Sequence, residues 1–437
     1  MPLKHSVTEV ELSNGAKGVI VNVPDATVFD YEFNFRAGNS FVKSPEIQQA
    51  AHILEHLAFS GTEEYPSSEE FSQVFTENGA YINATTYEIG ISYFGASADF
   101  EAERIIELQK KALVEPIFNQ QSLDNEKKTV NEELTGQLSN YPRYLWTHIS
   151  RAMGDDALTD DEKIKTIQTV SLEDIIEHRE RTHTTENLRF ILGGNLQSQR
   201  LEDFLKSIES ISLPKGERLS IKKMSFTKPD GPVMIINEDV KNIYFGLTMA
   251  LNRKASTSEF YVMQALIHIL TGTFHSRIFG RARREGLCYY INSSFYRSST
   301  GVSEFQLTSQ ITTENREPLY NLIIDELNIV KNEGVSEEEL AGVKKYSFGE
   351  YQQYGQTIGT LTGYYASYFD NDEIIEIDKI ANYIDAIKTE DIQKMAAEVI
   401  NSGIWCFGEL GNIDESSNRQ AYDNFARKLF GEKGVQQ

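Results

Sequence analysis

Among the eight histidines of this 437-residue chain, two stand four residues apart with a glutamate just before the second: His52-Ile53-Leu54-Glu55-His56. On a helix, residues four apart stack on one face, so this spacing would bring both imidazoles to one point. Such a pair suits zinc, which takes histidine nitrogen at about 2.0–2.1 Å and in catalytic sites usually has three protein ligands and a water. Glu55 lies three residues after His52 and beside the same face, where it could take a proton from that water. Two histidines are too few, and a third ligand must come from elsewhere. The same spacing also occurs on plain surface helices, so the five residues alone leave both readings open.

The elements around the motif favour chemistry. Ser44-Pro45 reads as a helix start with proline at the first helical position. Ile47, Ala51, Leu54 and Ala58 then give that helix a core face. A second helix, expected to open at Ser122, carries Glu126 and Glu133 seven residues apart, two turns on one face. Asn14-Gly15 between alternating runs signals a hairpin, and Tyr31, Phe33 and Phe35 alternate as in a half-buried strand. A helix over residues 99–114 is stopped by Pro116. Strands and helices do not follow strict βαβ order, which predicts an α+β fold with helices on one face of a mainly antiparallel sheet.

The plan occurs twice. Tyr81-Ile82-Asn83 is echoed by Tyr290-Ile291-Asn292, Glu173-Asp174-Ile175 by Glu390-Asp391-Ile392, and Gly194-Asn195 by Gly411-Asn412. The offsets are 290 − 81 = 209, 390 − 173 = 217 and 411 − 194 = 217. Ser256-Thr257-Ser258-Glu259, a capping box, opens the helix that matches the histidine helix. The chain therefore reads as a duplicated domain: residues 1–212, a linker over 213–232, and residues 233–437. In the second copy the histidine region falls near 265–269, where only His268 remains. With Ser122 set against Ser336, Glu126 and Glu133 fall on Leu340 and Ser347. Loss of the four residues as a set is what a shared task would produce.

Composition narrows the class. A formal charge of −23 argues against nucleic acid, whose phosphates demand lysine and arginine. It fits either plain solubility or an acidic concavity that attracts basic ligands. No run approaches the ~18 apolar residues of a membrane span. Cys288 and Cys406 make no disulfide framework, and with no signal core at Met1 the expectation is a cytoplasmic protein. His148, His178, His183 and His275 have no partner at ligand spacing and read as structural, and the tyrosines of residues 350–372 read as core.

His-x-x-Glu-His, "NATT" from Asn83, a glutamate 133 − 56 = 77 residues past the second histidine, and "RREGLCYYI" together resemble the pitrilysin family of metallopeptidases. The likeness is to its short-chain members related to the mitochondrial processing peptidase and runs through nearly the whole chain. It implies one zinc ion held by His52, His56 and Glu133, with Glu126 supporting a ligand and Glu55 as general base. It implies that Tyr289 stabilises the oxyanion and Arg283 holds substrate backbone, and that the "NATT" strand takes the substrate as an added strand at Asn83 and Ala84. Asn83 reads equally as a turn residue, since its twin Asn292 is retained. Arg281 and Arg284 crowd Arg283; counting back from Gly286-Leu287 selects Arg283 among the three, and a plain solvated basic turn is the alternative reading. Where the family often has glycine, three residues before the first histidine, this chain has Gln49. Longer members fuse two duplicated halves into a clamshell, so the resemblance implies a dimer, homodimer or heterodimer, whose chamber takes basic or unstructured peptides. The alternative is a non-catalytic partner or scaffold subunit, although the histidine motif that such subunits tend to lose is intact here. Manganese or cobalt would suit the same ligand types.

Overall fold

The computed structural model describes residues 2–431, which form two compact units. The first unit takes the chain up to Gln137, Asp160–Ile221 and Gln352–Lys379; the second takes Leu138–Thr159, Lys222–Tyr351 and the chain from Ile380. Each unit is thus mainly one half of the duplication plus one segment from the other half.

In the first unit, β1 (Ser6–Glu11), β2 (Lys17–Asn22), β3 (Val28–Phe35), β4 (Tyr81–Thr86), β5 (Ile91–Ala98) and β6 (Leu188–Gly194) form a sheet in the order β1-β2-β6-β3-β5-β4. Only β2 and β6 run parallel. The Asn14-Gly15 turn joins β1 to β2, with Gly15 at φ +92°, where a side chain would be strained. Tyr31, Phe33 and Phe35 are fully buried on one face of β3, where helices that include Ala50–Leu57, Ala102–Val114 and Gln120–Gln137 cover them. The side chains between them, Asp30 and Glu32, belong to the other face. That face carries its own thin layer, the exchanged helix Ile358–Tyr364: Thr362 Oγ1 donates to Asp30 Oδ1 at 2.5 Å. Gly193 on β6 gives Thr362 its room, since a Cβ there would sit 2.2 Å from Thr362 Cγ2.

The second unit repeats the topology with β7 (Val233–Ile236), β8 (Ile243–Leu251), β9 (Ile291–Arg297), β10 (Ser303–Ile311) and β11 (Trp405–Gly411), in the order β7-β11-β8-β10-β9. It is the first sheet without β1, again with one parallel pair, β7 and β11. Gly194 and Gly411 end the equivalent strands at φ +153° and +151°. The exchanged helix here is Tyr141–Ala152, whose Ile149 occupies the space left by Gly246 and Gly408. The capping box at Ser256 and Glu259 forms as expected.

Two helix starts differ from expectation. Ser44-Pro45 opens only the 3-10 turn Pro45–Ile47, and the helix proper begins at Ala50. The glutamate helix begins at Gln120, because Asn119 rather than Ser122 caps it: Asn119 Oδ1 accepts from the Ser122 amide at 2.9 Å. Its counterpart Glu337–Tyr351 is capped by Ser336, so the register between copies is 336 − 119 = 217. Glu126 then falls on Val343 and Glu133 on Glu350. His268 lies close enough to Glu350 to feel its charge, so the second copy keeps one histidine and one glutamate together rather than losing all four. The histidines expected to be structural include two well-satisfied ones: His178 Nε2 bonds the Ala37 carbonyl at 2.7 Å and His183 Nε2 the Tyr93 hydroxyl at 2.9 Å. Of the tyrosines expected to be core, Tyr351, Tyr365 and Tyr368 are buried, whereas Tyr354 is 46% exposed. Cys288 and Cys406 are buried free thiols. Among the described residues no helix is long and apolar enough to cross a membrane.

Candidate active site

The helix Ala50–Leu57 buries Ala50, Ala51, Ile53, Leu54 and Leu57, so only one narrow stripe is left for His52, Glu55 and His56. These positions, i, i+3 and i+4, necessarily share a face. The helix Gln120–Gln137 is anchored by Leu123, Val130 and Leu134, and Glu126 and Glu133 project from the margin of that apolar stripe. The two helices pack against each other, and the side chains converge. Glu133 Oε2 stands 3.4 Å from His52 Nε2 and 3.8 Å from His56 Nε2. One donor atom from each of His52, His56 and Glu133 lies within 4.8 Å of the others; among the described residues no other such group of histidine, cysteine or carboxylate occurs.

The outer ring nitrogens are also held. His56 Nδ1 bonds Glu126 Oε2 at 3.1 Å, and His52 Nδ1 bonds Gln49 Oε1 at 3.2 Å. Both contacts leave Nε2 facing Glu133, which is how histidine ligands are usually oriented. Burial, helped by the neighbouring His56 and Lys163, lowers the His52 pKa to about 4, so its imidazole is neutral and able to donate a lone pair. Burial also pulls His56 down, but its bond to Glu126 and the charges of Glu55, Glu133 and Glu126 outweigh that and raise it. Two neutral-capable imidazoles and a carboxylate with oriented lone pairs fit a zinc-like ion.

Glu55 reaches toward β4. Burial raises its pKa, against the nearby polar groups of Thr86 and the charge of His56. A carboxylate with a raised pKa beside a candidate metal site suits a group that must accept and return a proton. Beyond Glu55 and His56 a groove runs past Phe59, Ser68, Glu69 and Ser72 to Asn83 and Ala84. β4 is the edge of its sheet, paired only to β5. Asn83 folds over that edge: its Oδ1 accepts from the Ala84 amide at 2.9 Å while its Nδ2 donates to the Tyr81 hydroxyl. A peptide added to β4 would have to turn Asn83 aside to reach the Ala84 amide.

Arg283 and Tyr289 belong to the second unit. Of the three crowded arginines, Arg281 is paired with Glu285 and Arg284 bonds the Phe274 carbonyl. Arg283 lies over the Tyr289 ring, 4.9 Å from its centroid, and Tyr289 is 80% exposed. The sequence reading missed two partners, Thr86 and Gln49. Thr86 ends the quoted "NATT", and Gln49 stood out only as a departure from the usual glycine.

Comparison with known proteins places the fold and the family. Residues 35–160 match the family model described as insulinase (peptidase family M16), and residues 169–346 match that of the peptidase M16 inactive domain. An uncharacterised zinc protease of Rickettsia felis is 22% identical over 413 residues, covering 92% of this chain and 96% of its own. A protease from Helicobacter pylori superposes with a TM-score of 0.82 at 19% identity, covering 93% of this chain and 100% of its own. The periplasmic protease PqqL from Escherichia coli gives 0.78 at 16% identity, covering all of this chain but 52% of its own. Carrying both family domains in order and the histidine motif in the first, the chain belongs to the pitrilysin (peptidase M16) family.

Proposed function

We propose that the protein is a zinc-dependent endopeptidase that cleaves peptides or unfolded segments. The observation that carries this reading is the closure of His52, His56 and Glu133 to ligand distance with Glu55 on the same helical stripe. Bound there, zinc supplies Lewis-acid activation of water and of the scissile carbonyl. Glu55 takes the proton from the attacking water as its oxygen bonds the carbonyl carbon, then delivers that proton to the amine as the C–N bond breaks. The free edge of β4 holds the substrate as an added strand, with Asn83 and Ala84 contacting its backbone. Glu126 steadies His56 throughout.

Tyr289 donates to the developing oxyanion and Arg283 holds substrate backbone, both supplied by the partner subunit of a dimer. Support for this comes from length: PqqL contains roughly two chains' worth, since this chain covers 52% of it. The charge of −23 favours basic, unstructured substrates entering the chamber, and the buried free thiols are compatible with a cytoplasmic location.

The test is hydrolysis of a basic unstructured peptide with and without chelator, by Glu55→Gln, by Arg283→Ala, and by the two mixed. Chelator-sensitive cleavage absent from each variant but partly restored on mixing is expected. Zinc bound tightly without cleavage of any peptide would instead identify a non-catalytic partner subunit.

A further inference from the structure

Gln49 is 2% exposed at the start of the histidine helix, an unusual place for a long polar side chain. Its backbone carbonyl already accepts the first helical bond, from the Ile53 amide at 2.9 Å, and its side chain caps nothing. A glutamine buried only as a helix start would lose side-chain freedom and hydration without return. Instead its Oε1 lies 3.2 Å from His52 Nδ1.

Resting on the zinc reading above, we propose that Gln49 is a positioning residue of the metal centre: its amide oxygen accepts the Nδ1–H of His52 and so fixes Nε2 as the nitrogen presented to the ion. Which nitrogen of an imidazole carries the proton is set by the partner of the other, and a proton on Nε2 would block ligation outright. The two histidines are held differently. His56 leans on the carboxylate of Glu126, whereas His52 leans on a neutral amide. Glu55, Glu126 and Glu133 already bring three carboxylates to the site. An amide at position 49 orients the second ring without adding a fourth negative charge, while providing the same acceptor geometry.

The experiment is zinc affinity by chelator competition on the full chain, for the wild type, Gln49→Met and Gln49→Glu, with the histidine tautomers read from 15N spectra of the metal-free proteins. Gln49→Met keeps the length and removes the acceptor; it should weaken zinc binding at least about 10-fold, as loss of such a supporting bond typically does. Gln49→Glu keeps an acceptor and should stay within about threefold of the wild type. In the metal-free wild type, His52 should carry its proton on Nδ1, and Gln49→Met should move population to Nε2. Unchanged affinity in Gln49→Met, or equal weakening in both variants, overturns the assignment and leaves Gln49 a packing residue. A wild type that takes up no zinc would overturn the metal-site reading itself. The tautomer spectra would even then judge Gln49, since a wild-type His52 protonated on Nε2 refutes it without any metal.

Discussion

The outer face of the first sheet makes a strong prediction about pH. Asp30 and Glu32 lie under the exchanged segment, beside Thr362, Ser92 and Asp370, and Asp370 in turn accepts from Tyr87. Burial pushes Asp30 up to about 6 from 3.8, against its bond from Thr362, and Glu32 up to about 7 from 4.5. The folded chain therefore holds protons that the unfolded chain has released, so stability falls as pH rises from about 4 through 7. Carrying both shifts through the linkage relation from pH 5 to pH 8 gives about 1.4 kcal/mol for Asp30 and about 2.5 kcal/mol for Glu32, about 4 kcal/mol at most together. The variant Asp30→Asn with Glu32→Gln removes the charges and keeps an oxygen for Thr362. It should gain stability over the wild type by up to that amount on going from pH 5 to pH 8. Urea unfolding followed by far-UV circular dichroism measures it. Both tryptophans, Trp146 and Trp405, lie in the second unit, so circular dichroism rather than their fluorescence is the probe for the first. A variant whose advantage is the same at pH 5 and pH 8 would refute the reasoning.

Two further predictions concern packing. Glu409 is fully buried and held by Arg316 at 2.6 and 2.9 Å, by the Tyr320 hydroxyl at 2.6 Å and by Asn418 at 2.8 Å. Arg316→Met removes the two guanidinium bonds to this buried carboxylate and should cost about 3–5 kcal/mol, read by Trp405 fluorescence on the same strand; a loss under about 1 kcal/mol would mean that Tyr320 and Asn418 hold the carboxylate without the arginine. Gly193→Ala drives a methyl to within 2.2 Å of Thr362 Cγ2 and should cost about 1–3 kcal/mol. Adding Thr362→Ser, which removes that methyl and keeps the hydroxyl for Asp30, should recover most of the loss, and failure to recover would place the strain elsewhere.

The candidate metal ligands were legible because each signal is local. His52, Glu55 and His56 share a stripe by helical geometry alone, and Glu126 and Glu133 share another two turns long. The duplication was legible because equivalent strands end in equivalent glycines, Gly194 and Gly411, where only a residue tolerant of positive φ closes the strand cleanly. The register of the glutamate helix was less so: Asn119 and Ser122 are both good caps, and only the surrounding chain path selects Asn119.

Sequence by itself thus determined the α+β plan, its repetition, and which residues could ligate a metal. Tertiary structure decided that Gln49 turns inward to His52, that Thr86 meets Glu55, and that helices Tyr141–Ala152 and Ile358–Tyr364 each join the unit built mainly from the other half. The reason is physical. Periodicity records which side of an element must leave water, whereas the partner that covers that side is chosen by packing between segments far apart in the chain, as Gly193 and Thr362 are fitted to each other.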